Sequence, residues 1–407
     1  MIARSAGAAV LGLLREGRID VVEAGTRRSF GPAAAEVSAT VTVNSPRFWS
    51  SLIRGSAPLA RSYADGDWDS RELVDLVRIG AREMPRLDRL RRPFLPLRNA
   101  LTRIPLNTRA GAREHVAAHY DLGDELFRLF LDETMTYSCA VFDGPHTTLA
   151  EAQERKLDLV CRKLGLGPGD HVLEIGTGWG SFAVHAASRY GCRVTTTTIS
   201  AEQHAAASER VREAGLSDRV EVLAEDYRDL RGRYDKLVSI EMIEAVGWQY
   251  FDDFFRRCSA LLRPHGSMLL QAIVIDDDAY EAEKTSRTFI RELIFPSGCL
   301  PSVVVIEDCV RRTTDMRVLA LDDITEHYPE TLRRWREGLV AAADTAEALG
   351  YDRRFRRLWE LYLAYSEGGF RERRIRDVQL TLAKPAHVPS RVTARLEPAS
   401  PIAAGVR

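Results

Sequence analysis

The chain has 407 residues, more than one typical domain, and is 45% hydrophobic and 28% charged. That composition fits a soluble globular protein of one large and one smaller domain. Fifty-seven basic against 58 acidic residues leave a formal charge of −1, so no global field draws it to nucleic acid. No apolar run reaches the roughly 18 residues of a membrane span.

The N-terminus, Met1 to Arg15, carries a modest apolar run, but charge returns at once at Arg15, Glu16 and Arg18; a helix is expected there, not a signal peptide. Ile19–Glu23 and Val37–Val43 alternate like strands, and helical patterns start near Pro46 and Ser70. Residues 1–84 thus read as a small α+β domain without a catalytic constellation. Between Arg86 and Arg113 stand eight arginines against one acid, Asp88, broken by Pro93, Pro96 and Pro105. Residues 85–113 read as a basic linker, either solvated or docking on anionic lipid headgroups.

Six cysteines (139, 161, 192, 258, 299 and 309) are scattered without a CxxC pair, the pattern of reduced cytoplasmic thiols. His115 and His119 lie four apart with no HExxH and no third ligand nearby, so no metal is expected. Phe127, Phe130 and Leu131 share one helical face, and a helix from Thr148 to Leu164 opens with Glu151 placed for a capping box.

The stretch His171-Val-Leu-Glu-Ile-Gly-Thr-Gly-Trp-Gly180 follows. A short strand runs into glycines at alternate positions and then into a helix, the first crossover of a nucleotide-binding α/β sheet. Further strands are expected at Arg193–Ile199, Val220–Leu223, Lys236–Ile240 and Ser267–Val274 with helices between them, so the sheet is expected to be parallel and doubly wound. An excursion covers about 276–301. More strands are expected at Met316–Leu321 and Val378–Ala383, with helices at Pro329–Leu349 and Arg354–Glu367 between them. The Pro/Ala/Ser-rich end, 386–407, is expected to be disordered.

No acid ends the second strand, which disfavours NAD, and no GxxxxGK[ST] occurs, which excludes a P-loop. Glu174 before the glycines and the polar run Thr198–Gln203 suit a zwitterionic nucleoside, with Tyr227 available as an aromatic wall for a base. Four phrases, Glu174-Ile-Gly-Thr-Gly-Trp-Gly, Ile199-Ser-Ala-Glu-Gln, Asp226-Tyr-Arg-Asp and Ser239-Ile-Glu-Met-Ile-Glu-Ala-Val-Gly, together resemble the cyclopropane-fatty-acyl-phospholipid synthases and mycolic acid methyltransferases. His119-Tyr-Asp, Tyr137-Ser-Cys, Phe295-Pro-Ser-Gly-Cys-Leu-Pro and Phe370-Arg-Glu-Arg add to the resemblance, which covers about 115–385. Residues 1–84, through Tyr63-Ala-Asp-Gly-Asp-Trp, look like the N-terminal domain of the bacterial cyclopropane synthases.

The resemblance implies a Rossmann-like class I methyltransferase domain over 114–385 that uses S-adenosylmethionine. Its contacts would be Tyr137, Ser138, Glu174, Gly176, Gly178, Gly180, Thr198, Ile199, Ser200, Gln203, Tyr227 and Arg228. It further implies methylene transfer to a cis double bond of an unsaturated phospholipid chain, through a carbocation deprotonated by a bound bicarbonate. The ligands of that ion would map onto Cys139, Glu244, Gln271, Ile273 and Tyr328, with Glu244 foremost; Glu241 reads instead as a solvent-facing acid. Two positions depart from the family pattern: Gln271 stands where many members have His, and Ala245 where His often follows the key Glu. They bear on the product, which is a cyclopropane or else a methylene- or methyl-branched chain, the last needing a reductase partner. A cytoplasmic enzyme docked peripherally on the inner membrane face, and a homodimer through the N-terminal domain, complete the expectations.

Overall fold

The computed structural model describes residues 2–91, 111, 123–296 and 298–388. Most of the basic linker, both His115 and His119, and the tail from 389 lie outside the described residues. Two compact units are present, each assembled from three separate stretches of chain: 1–105 with 275–299 and 328–376, and 106–274 with 300–327 and 377–407. The division expected from the sequence is contiguous, whereas the chain leaves the second unit after 274 and again after 327 to complete the first.

The first unit holds a four-stranded sheet in the order β2-β1-β3-β4, made of β1 (Arg18–Glu23), β2 (Thr26–Phe30), β3 (Ser38–Val43) and β4 (Trp68–Asp69). β1 and β3 are parallel; β1 and β2 form a hairpin turned by Ala24 and Gly25, both at positive φ, as a two-residue hairpin turn requires. Phe48, Trp49 and Trp68 pack edge to face beneath it. A helix does form at Ile2–Leu11. The helices Leu73–Arg91 and Arg353–Arg371 approach so closely that a Cβ on Gly368 would stand 2.8 Å from Val77. The single helix expected over 329–349 is two, Tyr328–Ala341 and Ala343–Ala348, and the 276–301 excursion contains the helices Asp277–Glu283 and Phe289–Leu293.

The second unit carries a seven-stranded sheet, β10-β11-β9-β8-β5-β6-β7. Its strands are β5 (His171–Ile175), β6 (Arg193–Thr197), β7 (Val220–Leu223), β8 (Tyr234–Ile240), β9 (Leu262–Ile275), β10 (Arg317–Asp323) and β11 (Ile375–Ala383). β5 to β9 pair in parallel, as helical crossovers demand. β10 and β11 pair antiparallel, so the sheet is mixed and not wholly parallel; the three helices between these strands in sequence, Tyr328–Ala341, Ala343–Ala348 and Arg353–Arg371, belong to the other unit. Helices Leu149–Leu164 and Ser181–Tyr190 bury Leu157, Val160, Phe182 and Ala186 against β5 and β6. The first of them begins with a full capping box between Thr148 and Glu151 and ends on Gly165 in the left-handed region, which satisfies backbone groups at both ends. The strand order reverses between β5 and β8. The crevice outside the carboxyl ends of those two strands is where an open α/β sheet binds ligands.

Candidate functional site

That crevice is a cleft of about 1180 Å³, open solvent at its mouth included, lined by residues of the second unit. Gly176, Gly178 and Gly180 all have positive φ, 103°, 53° and 85°. A Cβ on Gly176 would press on the Met242 side chain at 3.2 Å, and one on Gly180 on Ala207 at 3.2 Å, whereas nothing lies within 4 Å of one on Gly178. The first and third glycines are therefore needed for packing. The second leaves space, and it borders the cleft.

Ten of the twelve residues expected to hold the nucleoside line this cleft: Tyr137, Ser138, Glu174, Gly176, Gly178, Thr198, Ile199, Gln203, Tyr227 and Arg228. Ser200 acts one step back, capping the helix Ala201–Glu213 by accepting from the Gln203 backbone; Gly180 packs on that helix. The Thr198 hydroxyl donates to Gln203 Oε1 at 2.9 Å, which fixes the amide. Arg228 is held by Asp226 at 2.6 Å and reaches over the Tyr227 ring, and Tyr227 packs edge-on against Phe254. Phe127, Trp179 and Tyr137 form an aromatic wall, with Trp179 Nε1 donating to Asp124 Oδ1 at 2.6 Å. Phe127 is thus core.

Glu174 is buried at the end of β5, accepts from the Thr196 hydroxyl at 2.6 Å, and is pushed up to about 8 by burial. A buried acid in that state ionises when a cation arrives beside it, so it fits the ammonium of a methionine moiety. The glycine turn, the fixed amides and this acid together suit S-adenosylmethionine.

The second set of expected residues is more closely knit than the sequence suggested. The β8–β9 register sets Ile240 beside Gln271. Gln271 Nε2 donates to Glu241 Oε1 at 2.8 Å and to Asp377 Oδ2 at 2.9 Å, while Gln271 Oε1 accepts from Gln379 Nε2 at 2.9 Å. The backbone N–H of Cys139 also donates to Glu241 Oε1, at 2.8 Å. Glu241 is therefore no solvent-facing acid: it lines the cleft at a positive φ of 47° and is tied to two elements. The Cys139 thiol is fully buried and held well above the ordinary thiol range, burial being the main cause; it offers its backbone and not a nucleophile. Glu244 Oε1 accepts from the Ile273 backbone at 2.6 Å, and its buried Oε2 has no hydrogen-bond partner among the described residues. Burial, then Glu241 nearby, pushes it up to about 8. Tyr328 lies in the first unit, buried and stacked on Phe370 at 4.2 Å.

Two of the donors that the resemblance assigns to a bicarbonate, the Cys139 N–H and the Gln271 amide, are already taken by Glu241. The residues present therefore do not fit that ion. Among the described residues no group of three His, Cys, Asp or Glu could hold a metal, and no helix is long and apolar enough to cross a membrane.

The sequence reading passed over Lys156 and Asp377 and set Glu241 toward solvent. Lys156 sits on the buried stripe Ala152, Gln153, Lys156, Leu157, Val160. A cation on the apolar face of an amphipathic helix was the available signal. Asp377 and Gln379, two apart on one strand, are both fully buried.

The profile of the mycolic acid cyclopropane synthetases matches residues 107–380. The chain belongs to this family. Its relatives are S-adenosylmethionine-dependent enzymes that transfer methyl or methylene groups to lipid acyl chains. The tuberculostearic acid methyltransferase UfaA1 of Mycobacterium tuberculosis is 41% identical over 341 residues, 81% of this chain and 79% of that one. The cyclopropane-fatty-acyl-phospholipid synthase of Escherichia coli is 36% identical over 352 residues, 84% and 86% of the two chains. Among solved structures, the mycolic acid cyclopropane synthase CmaA1 of this family, crystallised with SAH and CTAB, superposes with a TM-score of 0.62 at 33% identity, over 67% of this chain and 98% of that one.

Proposed function

We propose that the chain moves a one-carbon unit from S-adenosylmethionine onto a cis double bond of an unsaturated phospholipid acyl chain, leaving a methylene branch. S-adenosylmethionine, when bound, supplies an electrophilic methyl group. The protein's part is to bind and to exclude water. Glu174 and Gln203 hold the polar end of the nucleoside, Tyr227 and Arg228 border its base, and the buried walls of Trp179 and Val246 keep water from a developing carbocation. If that cation closes directly, with loss of a proton from the new methyl, the product is a cyclopropane. If a hydride first moves along the chain to it, loss of a proton from the new methyl leaves an exocyclic methylene, which a reductase partner would convert to a methyl branch.

The observation that carries the branched reading is the altered base site: an amide at 271, and a carboxylate, Glu241, on the donors expected to hold an ion. Its similarity to a protein named as a tuberculostearic acid methyltransferase supports it. The ring product is the second reading, favoured by the similarity to a cyclopropane synthase. Incubation with S-adenosylmethionine and dioleoyl phosphatidylglycerol vesicles, followed by mass spectrometry and proton NMR, separates them. A CH₂ gain with vinylidene protons supports the first, and upfield ring-methylene protons the second. Docking on the cytoplasmic membrane face through the arginines of 86–113, and a homodimer, remain part of the proposal.

A further inference from the structure

Resting on that functional reading, we propose that Glu241 is itself the base of the reaction, a built-in carboxylate in place of a bound bicarbonate. Its Oε1 accepts the two hydrogen bonds, from the Cys139 N–H and Gln271 Nε2, that would otherwise orient a small oxyanion. A carboxylate and a bicarbonate present the same planar pair of oxygens to such donors. The side chain borders the cleft that also contains Glu174 and the glycine turn. Its backbone is held at a φ of 47°, an unusual state for a residue other than glycine, and one that clusters at functional sites.

Asp377, fully buried and hydrogen-bonded to Glu241, is raised well above the ordinary carboxyl range by burial and by Glu241. Both causes favour the neutral form of Asp377. Lys156, fully buried and donating to Ser138 Oγ at 2.7 Å, is the nearby cation, and Glu244 is the remaining titratable neighbour. In the step assigned to Glu241, a C–H bond of the newly attached methyl breaks. The electron pair of that bond forms the ring C–C bond or the exocyclic C=C bond at the cationic carbon, and the proton passes to the carboxylate.

The test uses the full chain and ¹³C-bicarbonate. Wild type should leave the ¹³C signal unbroadened, whereas Glu241→Ala, with its donors freed, should broaden it. Glu241→Gln keeps both hydrogen bonds but cannot take a proton; its turnover on dioleoyl phosphatidylglycerol vesicles should fall by about 10²–10⁴-fold while its S-adenosylmethionine affinity stays within about twofold. Wild-type turnover should be the same in CO₂-free buffer, and bicarbonate or formate should restore part of the activity of Glu241→Ala. Broadening with wild type, loss of wild-type turnover in CO₂-free buffer, or full turnover by Glu241→Gln would overturn the proposal. Absence of any lipid product from wild type in every buffer would sink the functional reading instead, and the ¹³C binding arm would still judge the base site.

Discussion

Gly178 separates ligand space from packing. Gly178→Ala adds one methyl group at a φ of 53°, inside the left-handed well, with nothing within 4 Å. The left-handed conformation disfavours a Cβ by about 1–2 kcal/mol, and lower unfolded-state entropy returns about 0.4–1 kcal/mol. A net loss near 1 kcal/mol should lower Tm by about 2–4 °C. The same methyl enters the cleft where the nucleoside is to lie, so S-adenosylmethionine affinity should fall by at least about tenfold, the effect of roughly 1.4 kcal/mol. Gly180→Ala is the control. Its φ of 85° lies outside that well, and its Cβ would stand 3.2 Å from Ala207 Cβ and 3.3 Å from Ala207 Cα. Backbone strain and overpacking together predict a loss of about 2–5 kcal/mol. Differential scanning fluorimetry and isothermal titration calorimetry on both variants give the four numbers. If Gly178→Ala binds S-adenosylmethionine as tightly as wild type, the ligand does not approach the glycine turn and the cleft assignment fails.

Four further outcomes are expected. Because Glu174 is pushed up to about 8, it is largely neutral at pH 7, and a bound ammonium would ionise it. S-adenosylmethionine binding should then release close to one proton, read as a buffer-dependent enthalpy that Glu174→Gln abolishes; a buffer-independent enthalpy in wild type would remove Glu174 from the ammonium site. Glu174 and Glu244 both keep protons in the native state that the unfolded chain loses, so their contribution falls as pH rises from about 4.5 to about 8, by at most about 5 kcal/mol each. The Tm of the Glu174→Gln/Glu244→Gln variant should gain on wild type between pH 5 and pH 8.5; parallel curves would contradict the burial of these groups. Glu244→Gln alone replaces an acceptor oxygen by an NH₂ group and should cut turnover by about 10²-fold with cofactor affinity retained, whereas a collapse of that affinity would place Glu244 in the nucleoside site. Reversing several arginines between Arg86 and Arg113 should weaken binding to anionic vesicles in a salt-dependent way, and unchanged co-sedimentation would make the stretch a plain linker.

The parts of this structure legible in the sequence are those set by local periodicity. The strands from 171 to 275 and the capped helix after Thr148 carry their own hydrophobic pattern, and the glycine turn carries its own backbone demand. β2 was missed because Thr26–Phe30 is almost wholly exposed and charged, so no alternation marks it. The break at Ala342 was missed because alanine is as good a helix former as its neighbours. Most of the cleft-lining residues were legible because they follow the strand ends in chain order. The base site was not, because it is made by register. Glu241 faces Gln271 only through the β8–β9 pairing, and Asp377 arrives from a strand 106 residues after Gln271. Nothing local to Asp377-Val-Gln379 distinguishes a buried polar ladder from a wet edge.

That ladder makes Lys156 the residue on which the electrostatics can be tested as a whole. It is fully buried; burial drives it toward the neutral form, and Glu241, Cys139, Asp377 and Asp132 oppose that, in this order. Lys156→Met keeps most of the volume and removes a fully buried cation, so the half-buried Glu241 carboxylate loses a counter-charge, a change that destabilises by up to about 3–5 kcal/mol. A Tm lower by about 10 °C follows. Adding Glu241→Gln removes the stranded charge. If the two groups form one electrostatic unit, the double variant should recover most of the lost Tm, though not the turnover. Additive losses in the double variant would mean that Lys156 serves only the Ser138 hydroxyl, and that the charge on Glu241 is balanced elsewhere.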